Sequence, residues 1–155
     1  MKYYYSCEYR DGRDCTAEQA AEKESIAKFL EGEAPEAILG TFVRQIARMT
    51  AGRTDDWEIC FVPEGSVEDT ARRYSAIADN LRRRTGVGAR MDALSRMGSR
   101  DARQPQFSCH AQHGRNVILV GGLVDTGRTI NAAAAALMGA GARTVTGLVA
   151  GKTVA

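Results

Sequence analysis

Residues 116–130 read NVILVGGLVDTGRTI, and this run says more about the architecture than any other part of the chain. Residues 117–120 are apolar and mostly β-branched, which is typical of a strand buried in a parallel sheet. A short glycine-containing loop follows, and the alanine-rich residues after Thr129 predict a helix. A strand, a glycine loop and a helix in this order present backbone N–H groups and a helix N-terminus, an arrangement that favours phosphate binding.

Strands and helices alternate on both sides of this run. The hydrophobic pattern and the capping and breaking residues predict strands at 2–9, 57–62, 116–120 and 144–149, and helices at 16–31, 35–49, 67–84 and 129–138. A turn signal at Asp11-Gly12 favours a small N-terminal hairpin.

The alternation predicts an α/β fold with a mainly parallel sheet. The arginine-rich residues 90–106 show little pattern and are expected to form a weakly structured loop. Ligands bind beyond the carboxyl ends of the strands in such sheets. We therefore expect the loops at 63–66 and 121–128 to form a single site.

Composition limits the class of protein. The chain has 155 residues, of which 44% are hydrophobic and 26% charged, so it fits one soluble domain with a single core. No apolar run approaches the roughly 18 residues of a membrane span. The N-terminus lacks the apolar core of a signal peptide, so we expect a cytoplasmic protein with reduced cysteines and no membrane partner.

Positive charge is concentrated in one region. Nine arginines lie within residues 72–103, which favours a basic surface suited to phosphate or pyrophosphate, although a solvated charged face explains the same pattern. Nucleic acid binding would call for aromatic side chains among the arginines. Only Tyr74 and Phe107 are candidates, so the pattern disfavours nucleic acid as a partner.

The run 116–130 resembles the phosphoribosyl-pyrophosphate (PRPP) motif of the type I phosphoribosyltransferases. With the strand ending in Phe61-Val62-Pro63, the helix carrying Arg72-Arg73-Tyr74-Ser75, and the tail 136–145, the resemblance to the ComF-like branch covers about residues 55–150. It implies a single phosphoribosyltransferase-like domain over residues 1–155, with a central mainly parallel sheet flanked by helices. Residues 1–50 match loosely and would form a small N-terminal hood or cap.

The resemblance also implies an activity and a set of site residues. Family members transfer a phosphoribosyl group from PRPP to a nitrogen nucleophile with Mg²⁺, and a homodimer is implied. The 5′-phosphate would lie on Asp125, Thr126, Gly127, Arg128 and Thr129, with Asp125 also the candidate catalytic residue. Glycine there permits close backbone approach, and the helix dipole favours the dianion.

The pyrophosphate loop of the family corresponds to Pro63, Glu64, Gly65 and Ser66. Relatives often have a small or basic residue in this loop. The carboxylate of Glu64 would repel a pyrophosphate unless Mg²⁺ or arginines screened it.

Gly121 and Gly122 depart from the family pattern, which has two acids at these positions that bind the ribose hydroxyls and stabilise positive charge at the anomeric carbon. Loss of a preorganised electrostatic group typically costs about 10²–10³ in rate. The sequence therefore predicts a divergent protein that binds a 5′-phosphorylated ribose ligand, either PRPP or a nucleotide, with the catalytic step in question. An active transferase that recruits Asp125 or Glu64 is one alternative, and a non-catalytic ComF-like interaction protein linked to DNA handling is another.

Two plainer interpretations stand beside these. A strand followed by Gly-Gly and a helix is also an ordinary βα turn. Cys109, His110 and His113 could contact a metal, but their spacing fits no standard zinc pattern. We predict no metal site apart from Mg²⁺ brought with PRPP.

Overall fold

The computed structural model describes residues 1–10, 15–98 and 104–154. Its strands and helices are, in chain order, β1 (Lys2–Arg10), α1 (Ala17–Leu30), α2 (Glu36–Thr50), β2 (Trp57–Phe61), α3 (Val67–Thr85), β3 (Gly88–Arg90), β4 (Leu94–Met97), β5 (Gln106–Cys109), β6 (Asn116–Val124), α4 (Arg128–Gly139) and β7 (Thr144–Val154). A 3₁₀ turn, Thr54–Asp56, leads into β2.

Five strands form one parallel sheet in the order β1-β7-β6-β2-β3. Val120 of β6 pairs with Phe61 of β2 on one side and with Leu148 of β7 on the other. The carboxyl ends of these three strands therefore share one edge of the sheet. The predicted α/β fold with a central parallel sheet flanked by helices is confirmed.

Both faces of the sheet are buried. Ile118 and Val120 of β6 pack into a core built with α1, α2 and α3, whereas Val117 and Leu119 pack into a second core built with α4. Successive side chains of a strand point to opposite faces, so a strand covered on both sides must be apolar throughout. This explains the uninterrupted apolar run in the sequence.

The first three helices form where their periodic apolar residues predict. Thr16 and Gln19 make the expected capping box at the start of α1, and Ser66 caps α3 by accepting from the Asp69 N–H. Gly86 ends α3 in a left-handed conformation with φ +76°. The inner faces are buried at Ile26, Phe29, Ile38, Phe42, Ile46, Tyr74, Ile77, Ala78 and Leu81.

The N-terminal strand differs from the prediction. β1 pairs in parallel with β7, from Lys2 opposite Thr146 to Arg10 opposite Val154, instead of with a hairpin partner. The chain next enters α1, and the turn predicted at Asp11-Gly12 lies outside the described residues. β7 is long enough to pair with β1 along almost its whole length, and this pairing makes β1 an edge strand of the main sheet.

Two other boundaries also differ. β6 continues through residues 121–124, which were expected to belong to a loop, because β7 extends beside it and pairs Leu123 with Gly151. β4 lies within 90–106 and pairs in an antiparallel arrangement with β5, which begins at Gln106. Ala93 and Leu94 are buried in the α4-side core with Phe107 packed against it, and these contacts hold β4 and β5 in place although nearby arginines hide the apolar pattern in the sequence.

None of the helices among the described residues combines the length and apolar character that crossing a bilayer requires.

Candidate functional site

A pocket of about 280 Å³ opens at the carboxyl edge of the sheet, where β2 and β6 end and α4 begins. It unites the predicted segment 121–129 with Pro63 and Glu64, whereas Gly65 and Ser66 line a neighbouring pocket of about 660 Å³. The first pocket is lined by Val62, Pro63, Glu64, Arg73, Tyr74, Arg96, Gly121, Gly122, Leu123, Val124, Asp125, Thr126, Gly127, Arg128, Thr129, Ile130 and Val149.

The loop from Asp125 to Thr129 presents the start of α4 to this pocket. Gly127 is the N-cap residue, with φ +85°, and has no side chain that could cap the helix. The first N–H groups of a helix have no partner within it, so this turn offers donors and the positive end of the helix dipole.

Two contacts hold the loop in place. The Asp125 carbonyl accepts from Lys152 Nζ at 2.6 Å, which ties the loop to β7. The Thr126 hydroxyl accepts from the Arg128 N–H at 3.4 Å. The side chains of Asp125, Thr126 and Arg128 are exposed at the pocket. The backbone is therefore fixed while the side chains remain accessible to a ligand.

Gly121 and Gly122 face opposite sides of the sheet because β6 continues past them. A Cβ on Gly121 would lie 3.4 Å from both Val62 Cγ2 and Val149 Cγ1, on the α4 side. A Cβ on Gly122 would lie 2.6 Å from Leu30 Cδ2 of α1. Acidic side chains at the two positions would thus project from opposite faces of the sheet. Only the side chain at position 122 would point toward α1 and α3.

Arg73 of α3 lies over Gly122. Its Nη1 is 3.6 Å from the place of a Gly122 Cβ and 2.5 Å from Glu64 Oε1, in an ion pair whose side chains are 25% and 13% exposed. Arg73 also interacts with the hydroxyl of buried Tyr74, and burial raises the pKa of that phenol, so it stays neutral. A cation therefore stands close to a position where the family pattern has an acid.

Sequence reasoning did not identify Arg73 as a site residue. It was one of nine arginines in a basic stretch. Only the packing of α3 against the sheet, with Tyr74 inward, sets its direction. The available signal was its position in the Arg72-Arg73-Tyr74-Ser75 segment that carried part of the resemblance.

The predicted pyrophosphate loop, residues 63–66, has several of its polar groups engaged. The Glu64 N–H donates to Thr70 Oγ1 at 2.9 Å, and the Thr70 hydroxyl donates to the Ser66 carbonyl at 2.8 Å. Ser66 Oγ accepts from the Asp69 N–H. With Glu68 and Asp69 in the first turn of α3, this loop is a poorer anion site than the start of α4.

The charges around the first pocket are mixed, with a cationic excess. Arg73, Arg96 and Arg128 line it together with Glu64 and Asp125. Arg96 reaches it from β4, with its guanidinium carbon 5.6 Å from the centre of the Phe107 ring. Within residues 1–10, 15–98 and 104–154, no three histidine, cysteine or acidic side chains are grouped in a way that could hold a metal ion.

Comparisons with known proteins give similarities of overall fold. No family model and no curated protein matches the chain. A hypothetical protein from Neisseria gonorrhoeae with bound ppGpp is 14% identical, with a TM-score of 0.46, over 96% of this chain and 74% of that one. A purine phosphoribosyltransferase from Pyrococcus horikoshii is 14% identical, with a TM-score of 0.43, over 99% of this chain and 87% of that one. Both TM-scores lie below 0.5, so each is a distant likeness of overall fold only.

Proposed function

We propose that this protein binds a 5′-phosphorylated ribose ligand, either PRPP or a nucleotide, with its phosphate on the loop from Asp125 to Thr129. The observation that carries the proposal is the start of α4 at Gly127, an N-cap residue without a side chain, which opens into a pocket with exposed Arg128 beside it. Backbone donors, a helix dipole and a guanidinium converge there, and this combination suits a phosphate dianion.

Mg²⁺ fits this site only as part of a ligand complex. The pocket offers two carboxylates, of which Glu64 already pairs with Arg73 and Asp125 is exposed. Mg²⁺ is commonly held by one or two carboxylates together with substrate phosphates. PRPP would supply the phosphates, Asp125 would be the accessible protein ligand, and the ion would neutralise charge on the pyrophosphate.

Calorimetric titration of the purified protein with PRPP, ribose 5-phosphate and nucleoside monophosphates, with and without Mg²⁺, tests the proposal. We expect micromolar binding of at least one 5′-phosphate. Arg128→Gln should weaken it about tenfold, as expected for a lost hydrogen bond to a charged group.

Arg143→Gln is the matched control, because Arg143 is also exposed but lies just before β7, at the opposite edge of the sheet. The control removes the same charge and should leave the affinity unchanged. Absence of binding at millimolar concentrations of every 5′-phosphate would contradict the proposal and favour an interaction protein that kept only the fold.

Transferase activity is the second candidate, supported by the two carboxylates that line the pocket, Glu64 and Asp125. An oxocarbenium-like transition state requires negative charge near the anomeric carbon, and these are the acids the pocket supplies. Release of pyrophosphate when PRPP–Mg²⁺ and candidate bases are added would support it. Binding of PRPP without release of pyrophosphate would support ligand binding without transferase activity.

A further inference from the structure

The charge next to Gly122 is opposite to the charge that the PRPP motif would place there. In the family pattern a carboxylate stands at position 122 and would meet ribose hydroxyls. Here the position has no side chain, and the nearby charged group is the Arg73 guanidinium, whose Nη1 lies 3.6 Å from where the Cβ would be. A hydroxyl group needs no cation, whereas a phosphate is well matched to one.

Arg73 is held in place and retains donor capacity. Glu64 and the Tyr74 hydroxyl both accept from this guanidinium, which carries five N–H donors in a fixed fork and so keeps donors for a ligand. The side chain is 25% exposed and lines the same pocket as the loop from Asp125 to Thr129. The partner acid thus fixes the orientation of the guanidinium while a ligand can approach its remaining donors.

We propose that Arg73 binds a second phosphate, carried on the ribose ring, so that the ligand is a nucleotide with a 5′-phosphate and a further phosphate at the 2′ or 3′ position. This inference rests on the proposed function, because the 5′-phosphate on the α4 loop places the ribose in the same pocket. Arg73 is then the residue that determines specificity, selecting bisphosphorylated over monophosphorylated ribose.

The test compares ligands that differ only in the second phosphate. Adenosine 5′-monophosphate, adenosine 2′,5′-bisphosphate and adenosine 3′,5′-bisphosphate are titrated by calorimetry at about 0.15 M salt, where long-range charge effects are screened. We expect one bisphosphate to bind at least about tenfold more tightly than the monophosphate. The isomer that binds more tightly identifies the position of the second phosphate.

Two variants locate the effect. Arg73→Gln should abolish the preference while retaining binding of the monophosphate. Arg72→Gln is the matched control, because Arg72 is the preceding residue of α3, is 74% exposed and pairs with Asp69 outside this pocket, and it should keep the preference. Gly122→Asp retains Arg73 but directs a carboxylate toward it, so it should also remove the preference. Gly122→Ala is its control, because it meets Leu30 in the same way without adding a charge and should keep the preference.

The outcomes separate the two proposals. Monophosphate binding with no gain from either bisphosphate overturns the assignment of Arg73 and leaves the proposed function standing. A preference for the bisphosphate that survives in both Arg73→Gln and Gly122→Asp also overturns the assignment of Arg73. Failure of all three nucleotides, and of ribose 5-phosphate, overturns the proposed function and this inference together.

Discussion

Replacing Gly127 with alanine tests the loop at the start of α4 most directly. Gly127 has φ +85°, and an L-residue in the left-handed region costs about 1–2 kcal/mol. The added Cβ would lie 3.2 Å from Asn131 Nδ2, the end of a side chain that can move by the few tenths of an ångström required. For a domain of this size, we therefore expect the midpoint of thermal unfolding to fall by about 2–8 °C.

Binding should suffer separately from stability. Relaxation of φ at position 127 turns the N–H groups of the first helical turn away from the pocket, so the affinity for ribose 5-phosphate should fall at least about tenfold by calorimetry. Gly114→Ala is the matched control. Gly114 has φ +71° with no described heavy atom within 4 Å of an added Cβ, so it should lose similar stability and bind normally.

The two measurements refute different steps of the reasoning. If Gly127→Ala is as stable as the wild type, the left-handed conformation of the loop is wrong. If it is destabilised like Gly114→Ala yet binds ribose 5-phosphate with unchanged affinity, the phosphate does not lie on this loop.

Two further predictions concern stability. Gly121→Ala should raise the free energy of unfolding by about 0.5 kcal/mol, because its Cβ makes ordinary contacts and the unfolded chain loses entropy. Gly122→Ala should lower the free energy of unfolding by about 1 kcal/mol, because its Cβ overlaps Leu30. Thermal unfolding of the two variants measures the difference. Equal changes in midpoint temperature would contradict the opposite orientations of positions 121 and 122. Burial raises the pKa of the Cys7 thiol from 9.0 to about 11, so the folded state holds this proton more tightly than the unfolded state. The resulting stabilisation is complete below pH 9 and is lost as the pH rises toward 11. Denaturant unfolding at pH 8 and pH 10.5 should therefore show that the free energy of unfolding falls less in Cys7→Ala than in the control Cys15→Ala. Equal falls in the two variants would contradict the role of the Cys7 thiol.

The local pattern predicted most of the elements because their physical causes are local. Apolar spacing located α1, α2 and α3, and the capping box at Thr16 marked the start of α1. The run 117–120 was placed correctly as a buried strand because burial on both faces requires an unbroken apolar sequence.

The pattern failed where long-range pairing decides the structure. Gly121 and Gly122 have turn-like composition, but β7 pairs with β6 beyond them and keeps them in a strand. The turn signal at Asp11-Gly12 favours a small hairpin after β1, whereas the strand that pairs with β1 is β7, far away in the sequence. Neither outcome can be derived from residues within a short window.

The candidate site was predictable as a location but not in its charges. The order of strand, loop and helix placed 121–129 and Pro63-Glu64 at one edge of the sheet, and they do line one pocket. The direction of Arg73 depends on how α3 rotates to bury Tyr74. Its ion pair with Glu64 joins residues from a loop and a helix, so neither residue alone signals it.

This ion pair bears on whether the pocket favours catalysis or binding. A carboxylate 2.5 Å from a guanidinium presents a dipole to its surroundings, and the field of a dipole falls off faster with distance than that of a net charge. Stabilising positive charge at an anomeric carbon requires uncompensated negative charge in a protected site, and Glu64 does not provide it while Arg73 remains beside it. Asp125 is exposed at the pocket mouth, where solvent and salt screen its charge. The same pairing orients the Arg73 guanidinium toward the pocket but adds no net charge, so the cationic excess comes from Arg96 and Arg128 against the exposed Asp125. This excess attracts phosphates, so the electrostatics of the site favour holding a phosphorylated ribose over cleaving its bond to pyrophosphate.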